Sequence, residues 1–166
     1  MRIAVTGSSG KLGQAVVAHL VEAGHSVTGL DAVGAPGAEF VRVDLTDTGQ
    51  VIDALAGVEE RHDGLDAVVH LAATPAPGIR PDTVLLQENL SMTIAVFQAA
   101  RRAGISRIVH ASSETLLGLP LTEPPPSAPI DETQPTRPNF MYAIGKHLEE
   151  ELGRKLWRID ASLSIT

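Results

Sequence analysis

Tyr142 and Lys146 stand four residues apart in the stretch Tyr142-Ala143-Ile144-Gly145-Lys146. On a helix that spacing puts a phenol and an ammonium on one face. A neighbouring cation favours the phenolate, so the tyrosine pKa is expected to fall. A phenol tuned in this way can act as general acid or base on a hydroxyl or carbonyl. The motif alone is weak, because Y-x-x-x-K arises by chance in many helices. Ser112-Ser113 follows a short apolar run. A hydroxyl at a strand's carboxyl end can hydrogen-bond a reacting oxygen there. Such a pair equally suits the common role of serine, satisfying backbone groups at a strand end.

A second cluster lies near the start, where Thr6-Gly7-Ser8-Ser9-Gly10-Lys11-Leu12-Gly13 has the spacing G-x-x-G-x-x-G. Glycines let the backbone turn tightly and approach a pyrophosphate, and the last lets a helix pack on a strand. A helix beginning at Lys11 would offer N–H groups and a positive dipole end to phosphates. Gly7, Ser9, Gly10, Lys11, Leu12 and Gly13 are therefore candidate cofactor contacts. Asp31 follows within about 20 residues, where a carboxylate accepts from ribose hydroxyls and repels a 2′-phosphate. No arginine follows it directly. NAD is thus favoured over NADP, although Lys11, if not simply solvated, pulls the other way. Asp31 can also be read as an ordinary turn residue.

Further candidates follow the same logic. Asp44 can accept from an adenine amino group and Leu45 can pack on its ring, although Asp44 also suits a turn. Leu71, Ala72 and Ala73, after His70, are small or apolar enough to let a cofactor lie close. Asn89 can hold backbone or a proton-relay water, or be a plain polar helix residue. His70 and His110 read as histidines of buried strands bonded to backbone.

These residues need a scaffold, and the pattern supplies one. Short apolar runs alternate with longer helical stretches, the signature of a parallel sheet with crossover helices. Strands are expected at 2–6, 25–30, 40–43, 65–71 and 107–111, with a sixth beginning at 161–166. Helices are expected at 11–22, with Leu12, Val16 and Leu20 on one face, and at 48–58, 82–103 and 140–156. Thr46 or Asp47 would cap the second helix. Residues 34–37 read as loop. Residues 119–138 hold most of the prolines and read as a long irregular loop, the kind that is usually functional.

Composition narrows the function class. The chain has 166 residues, 43% hydrophobic and 20% charged, with no cysteine. That is one domain with a real core. It excludes disulfides and thiolate metal sites, fits a reducing cytoplasm, and leaves no metal site in view. A net charge of −7 argues against a nucleic-acid partner. No run approaches the roughly 20 apolar residues of a membrane span.

Taken together, the chain resembles the extended short-chain dehydrogenase/reductases, the NAD-dependent epimerase/dehydratase family. The likeness runs through T-G-x-x-G-x-x-G at Thr6–Gly13, Asp31, Asp44-Leu45, His70-Leu71-Ala72-Ala73, Asn89, Ser112-Ser113 and Tyr142–Lys146. It implies a doubly wound Rossmann fold, α/β, with a parallel sheet of about six strands in the order 3-2-1-4-5-6. It implies Ser113 as the catalytic serine, Tyr142 as acid/base, and Lys146 lowering the phenol's pKa and binding the nicotinamide ribose. Its substrates are mostly sugars or nucleotide sugars, and the loop from Ser113 to Pro138 is similar to members acting on uronates. The helices at 82–103 and 140–156 would form a homodimer interface.

Three features depart from the family pattern. Leu117 stands where an aromatic is usual. Ser112-Ser113-Glu114-Thr115 carries one displaced acid where dehydratases resemble S-T-D-E, so 4,6-dehydration is disfavoured. The family also usually continues into a C-terminal substrate domain, which points to a truncated chain, a fragment or a minimal form. The expected function is an NAD-dependent oxidoreductase or epimerase on a sugar-like hydroxyl. The alternative is a non-catalytic NAD(P)-binding module or an inactive fragment.

Overall fold

The computed structural model describes the chain except for residues 35–38, 58–62, 76–77 and 121–123. Its elements run β1 (Arg2–Thr6), α1 (Lys11–Glu22), β2 (Ser26–Asp31), β3 (Phe40–Arg42), α2 (Thr48–Ala56) and β4 (Ala67–His70). They continue with α3 (Asp82–Arg102), β5 (Arg107–His110), a 3₁₀ turn at Glu114–Leu117, α4 (Met141–Ile159) and β6 (Ser164–Ile165). The strands form one parallel sheet in the order β3-β2-β1-β4-β5-β6. This is the doubly wound order expected, with its switch point between β1 and β4.

β1 is central because Ile3, Ala4 and Val5 are all buried, so both faces must be covered. Alternation then divides the core. Ala4, Val68 and Ile108 join Val51, Leu55, Val96, Phe97 and Leu156 from α2, α3 and α4. Ile3, Val5, Val27 and Ala67 face the other way, onto Val16, Val17 and Leu20 of α1. Each fully buried side chain of this size stabilises the fold by about 1.5–3 kcal/mol relative to exposure. Leu12 does not share that face: it is 58% exposed, and Val17 takes its place against the sheet.

Local chemistry sets the boundaries. Asp47 caps α2, its carboxylate accepting from Gly49 N at 2.9 Å and Gln50 N at 3.3 Å. α2 ends at Ala56, and Val58 lies outside the described residues. Phe140 is the cap of α4 rather than its first residue, and α4 runs on to Ile159. The strands are shorter than the apolar runs that announce them: His25, Val43, Leu65, Leu71, Ala111 and Ala161 lie outside them, whereas Asp31 lies inside β2. Val43, Leu71 and Ala111 still donate one backbone hydrogen bond each to the neighbouring strand, so the ladders fray at their carboxyl ends rather than stop short. The 3₁₀ turn is an element the sequence pattern did not announce. The described residues of 119–138 hold no helix or strand, as expected.

His70 is buried as expected, but its partners are side chains rather than backbone. Nδ1 lies 2.6 Å from Thr6 Oγ1, Nε2 3.2 Å from Thr93 Oγ1, and the ring stacks on His110 at 5.4 Å. Burial, reinforced by the nearby His110 and Lys146, holds its pKa well below that of an ordinary histidine. The unfolded chain therefore binds a proton here that the folded chain refuses. Stability is expected to fall as pH drops below the unfolded histidine's value of about 6.5, by up to about 1.4 kcal/mol per pH unit. Urea unfolding at about pH 7.5 and about pH 5.5 checks this, and His70→Gln should flatten the dependence.

Candidate active site

The carboxyl ends of the strands open onto one groove of about 1120 Å³. Its first wall is the loop between β1 and α1. Gly7, at φ +68°, has no room for a side chain: a Cβ there would stand 2.8 Å from Ala72 N. At Gly13 a Cβ would collide with the Gly7 carbonyl. The loop thus lies flush against the end of β4, and no side chain caps α1. Gly10, Lys11, Leu12 and Gly13 line the groove, so the uncapped start of α1 borders it.

Asp31 locks this loop. Oδ2 accepts from Ser9 N at 2.9 Å and Oδ1 from Val33 N at 3.2 Å. A carboxylate has about four acceptor sites, so capacity remains for a ligand hydroxyl. Asp44 also makes a turn, its Oδ1 accepting from Thr46 N and Oγ1. Gly7, Ser9, Gly10, Lys11, Leu12, Gly13, Asp31, Asp44, Leu45, Leu71, Ala72 and Ala73 all line the groove. Leu45 is at the same time buried in the core. Asn89 does not line it; instead its amide brackets Thr74, accepting from Thr74 N at 2.8 Å and donating to Thr74 O at 3.2 Å. Of its possible roles, holding backbone is the one seen.

At the far end Tyr142 and Lys146 line the same groove, on one face of α4 as their spacing predicts. Lys146 is buried. Its Nζ donates to Ala111 O and to Glu149 Oε2, both at 2.9 Å. The exposed Ser112 lines the groove, its hydroxyl donating to Glu150 at 2.6 Å. Ser113 sits just behind it: its oxygen accepts from Thr115 N and Oγ1, and it is a hydrogen-bond partner that lowers the Tyr142 pKa.

The direction expected for Tyr142 is corrected. Its pKa lies above that of a free tyrosine, raised first by burial, then by the charges of Glu149 and Glu114, against the pull of Ser113. Lys146 is not among the groups that shift it, and its ammonium is paired with Glu149. Glu149 and its partner His110, 2.9 Å away, are the residues that sequence reasoning missed. So is Arg42, which lines the groove and pairs in register with Asp31. Glu149 stands among three successive glutamates, Glu149-Glu150-Glu151, and the one signal that it differs is that it falls one turn after Lys146. Among the described residues no cluster of metal-ligating side chains occurs, and no helix is long and apolar enough to cross a membrane.

A glycine-lined groove on a doubly wound parallel sheet, ending in a tyrosine–lysine pair, defines a Rossmann-type architecture. The model of the NAD dependent epimerase/dehydratase family matches residues 3–163, and the chain belongs to that family. It is 34% identical over 152 residues to a UDP-glucose 4-epimerase of Streptomyces lividans, covering 86% of this chain and 43% of that protein. It is 34% identical over 160 residues to L-arabinose 1-dehydrogenase (NAD(P)(+)) of Haloferax volcanii, covering 92% of this chain and 59% of the relative. A short-chain dehydrogenase/reductase superfamily protein from Agrobacterium tumefaciens, solved with bound NAD, superposes with a TM-score of 0.81 at 31% identity. That match covers 99% of this chain and 47% of the other. The chain thus spans about half the length of the relatives it matches.

Proposed function

We propose that residues 1–166 carry the NAD-binding domain of a cytoplasmic oxidoreductase or epimerase acting on a hydroxyl of a sugar, uronate or nucleotide sugar. The observation that carries this is one continuous groove joining Gly7–Gly13 and Asp31 to Tyr142 and Lys146. The residues fit the cofactor: the loop approaches so closely that a Cβ at Gly7 or Gly13 would clash, and the groove has the volume for a dinucleotide. The loop and the start of α1 would hold the pyrophosphate, Asp31 the adenosine ribose, and Asp44 and Leu45 the adenine. Leu71–Ala73 would flank the nicotinamide half, with Asn89 supporting them through Thr74. When bound, the nicotinamide supplies the hydride acceptor or donor.

The chain's own residues handle the proton. Tyr142 Oη takes it from a substrate hydroxyl or returns it to a carbonyl. Ser113 and Ser112 orient the substrate oxygen, and Lys146 holds ribose beside the phenol. In a second copy, α3 and α4 would pair with those of the first, as the exposed Ile94 and Leu148 on these helices support.

Calorimetric titration with NAD and with NADP tests the cofactor half of the proposal. NAD should bind with clear preference, and Asp31→Asn should narrow the gap by about tenfold, since one lost repulsion is worth about 1.4 kcal/mol. Equal binding of both by the wild type would overturn the role of Asp31. Screening UDP-sugars, pentoses and uronates for NADH formation or epimerisation tests the rest. An NAD-binding module without turnover is the second reading, and NAD binding with no product from any of these would select it.

A further inference from the structure

Glu149 is 1% exposed and has no role in the chemistry above. One oxygen, Oε2, accepts from both Lys146 Nζ and His110 Nε2 at 2.9 Å. The other, Oε1, is buried without a hydrogen-bond partner. A carboxylate in this position is expensive to desolvate, and only the ammonium and the imidazole compensate it. Its only charged partner in the ion pair is Lys146, so the acid's effect lies in what it does to that ammonium.

The effect is geometric and electrostatic together. The ammonium is held between α4 and the end of β5, through Glu149 on one side and Ala111 O on the other. Two of its three donors are thereby fixed, leaving one for the groove that Lys146 lines. We propose that Glu149 is a positioning residue for the catalytic end: it ties the Lys146 ammonium to His110 and β5 and balances its charge where Tyr142 would otherwise feel it.

The groups facing this centre are Tyr142 and Lys146 on α4, Glu114 on the 3₁₀ turn, His110 on β5 and, stacked on His110, His70 on β4. This inference rests on the proposed role of Tyr142, but its test does not need turnover.

Tyr142 is the chain's one tyrosine, so phenolate absorbance in the near ultraviolet reports it alone. In Glu149→Gln the midpoint should fall by about one pH unit, a tenfold change in ionisation, as the lysine becomes uncompensated. Glu149→Asp, which keeps the charge, should return it toward wild type. An unchanged midpoint in a folded Glu149→Gln chain overturns the inference. Should neither variant fold, the wild type still decides. A clamped Lys146 gives a lysine Nζ proton signal that persists at neutral pH while those of the exposed Lys11 and Lys155 exchange away. No persistent signal overturns the inference. A midpoint shift without turnover of any sugar would sink the proposed activity and leave Glu149's role standing; turnover without the shift would do the reverse.

Discussion

Tyr142→Phe is expected to lower turnover of a sugar hydroxyl by about 10²–10⁴-fold, the usual contribution of a positioned acid or base. The change removes one oxygen and leaves the ring, which stacks near Phe140 at 6.5 Å. Packing at the start of α4 should therefore survive. The proposed phosphate cradle is the loop between β1 and α1, not α4, so NAD affinity should change by less than about tenfold, or about 1.4 kcal/mol. Initial rates at saturating NAD and calorimetry on the same preparation separate the two effects. Retained turnover would remove Tyr142 from the chemistry. Loss of NAD binding in parallel would mean that the tyrosine serves the cofactor rather than the proton.

The second large effect belongs to Gly13→Ala. A methyl at this position would meet the Gly7 carbonyl oxygen head on and come within 2.8 Å of Ser8 Cα. These are backbone atoms, so no side chain can swing aside. Either α1 lifts from β1 or the loop leaves its place. Overpacking of this kind costs about 1–3 kcal/mol of stability. NAD affinity should fall at least about tenfold with it, because a displaced loop no longer presents its N–H groups. Gly10 is the internal control. A Cβ there meets only Gly7 O, at 3.2 Å, and its backbone is extended at φ −71°. Gly10→Ala should therefore be much milder in urea midpoint. Equal damage from the two substitutions would show that chain flexibility, not the close approach at Gly13, governs the loop.

The architecture was legible because each level of the sequence agrees with the next. Apolar runs, glycines after helices and an Asp47 cap all point to the same alternation, and six strands and four helices appear where that alternation places them. The boundaries were less legible, since an apolar residue such as Leu65 satisfies the pattern while lying outside the strand, and Leu71 only trails β4, its N–H donating to Thr6 O. The groove-lining residues of the cofactor end were legible for a related reason: they lie close together along the chain, in one loop and the ends of neighbouring strands. The catalytic end was legible only in part. Tyr142 and Lys146 signal each other within one helix. The acid that pairs with Lys146 looks like one of three surface glutamates, and His110 looks like a core histidine. Only the register that sets β5 under α4 brings them together. Arg42 was missed for the same reason, because its neighbour Asp31 belongs to another strand.

The central place of β1 also has a kinetic side. Ile3 pairs with Val27 on one edge and with Ala67 on the other, so the second partner leaves the ribosome about 40 residues after the first. At synthesis rates of about 5–20 residues per second, that interval lasts roughly 2–8 s. Throughout it, a strand carrying Ile3, Ala4 and Val5 has one bare hydrogen-bonding edge, the kind of surface on which chains pair wrongly. The nascent protein is therefore most vulnerable after β2 and before β4. A slow stretch of translation between those strands would prolong the exposure, and a holdase that recognises extended apolar segments would act there first.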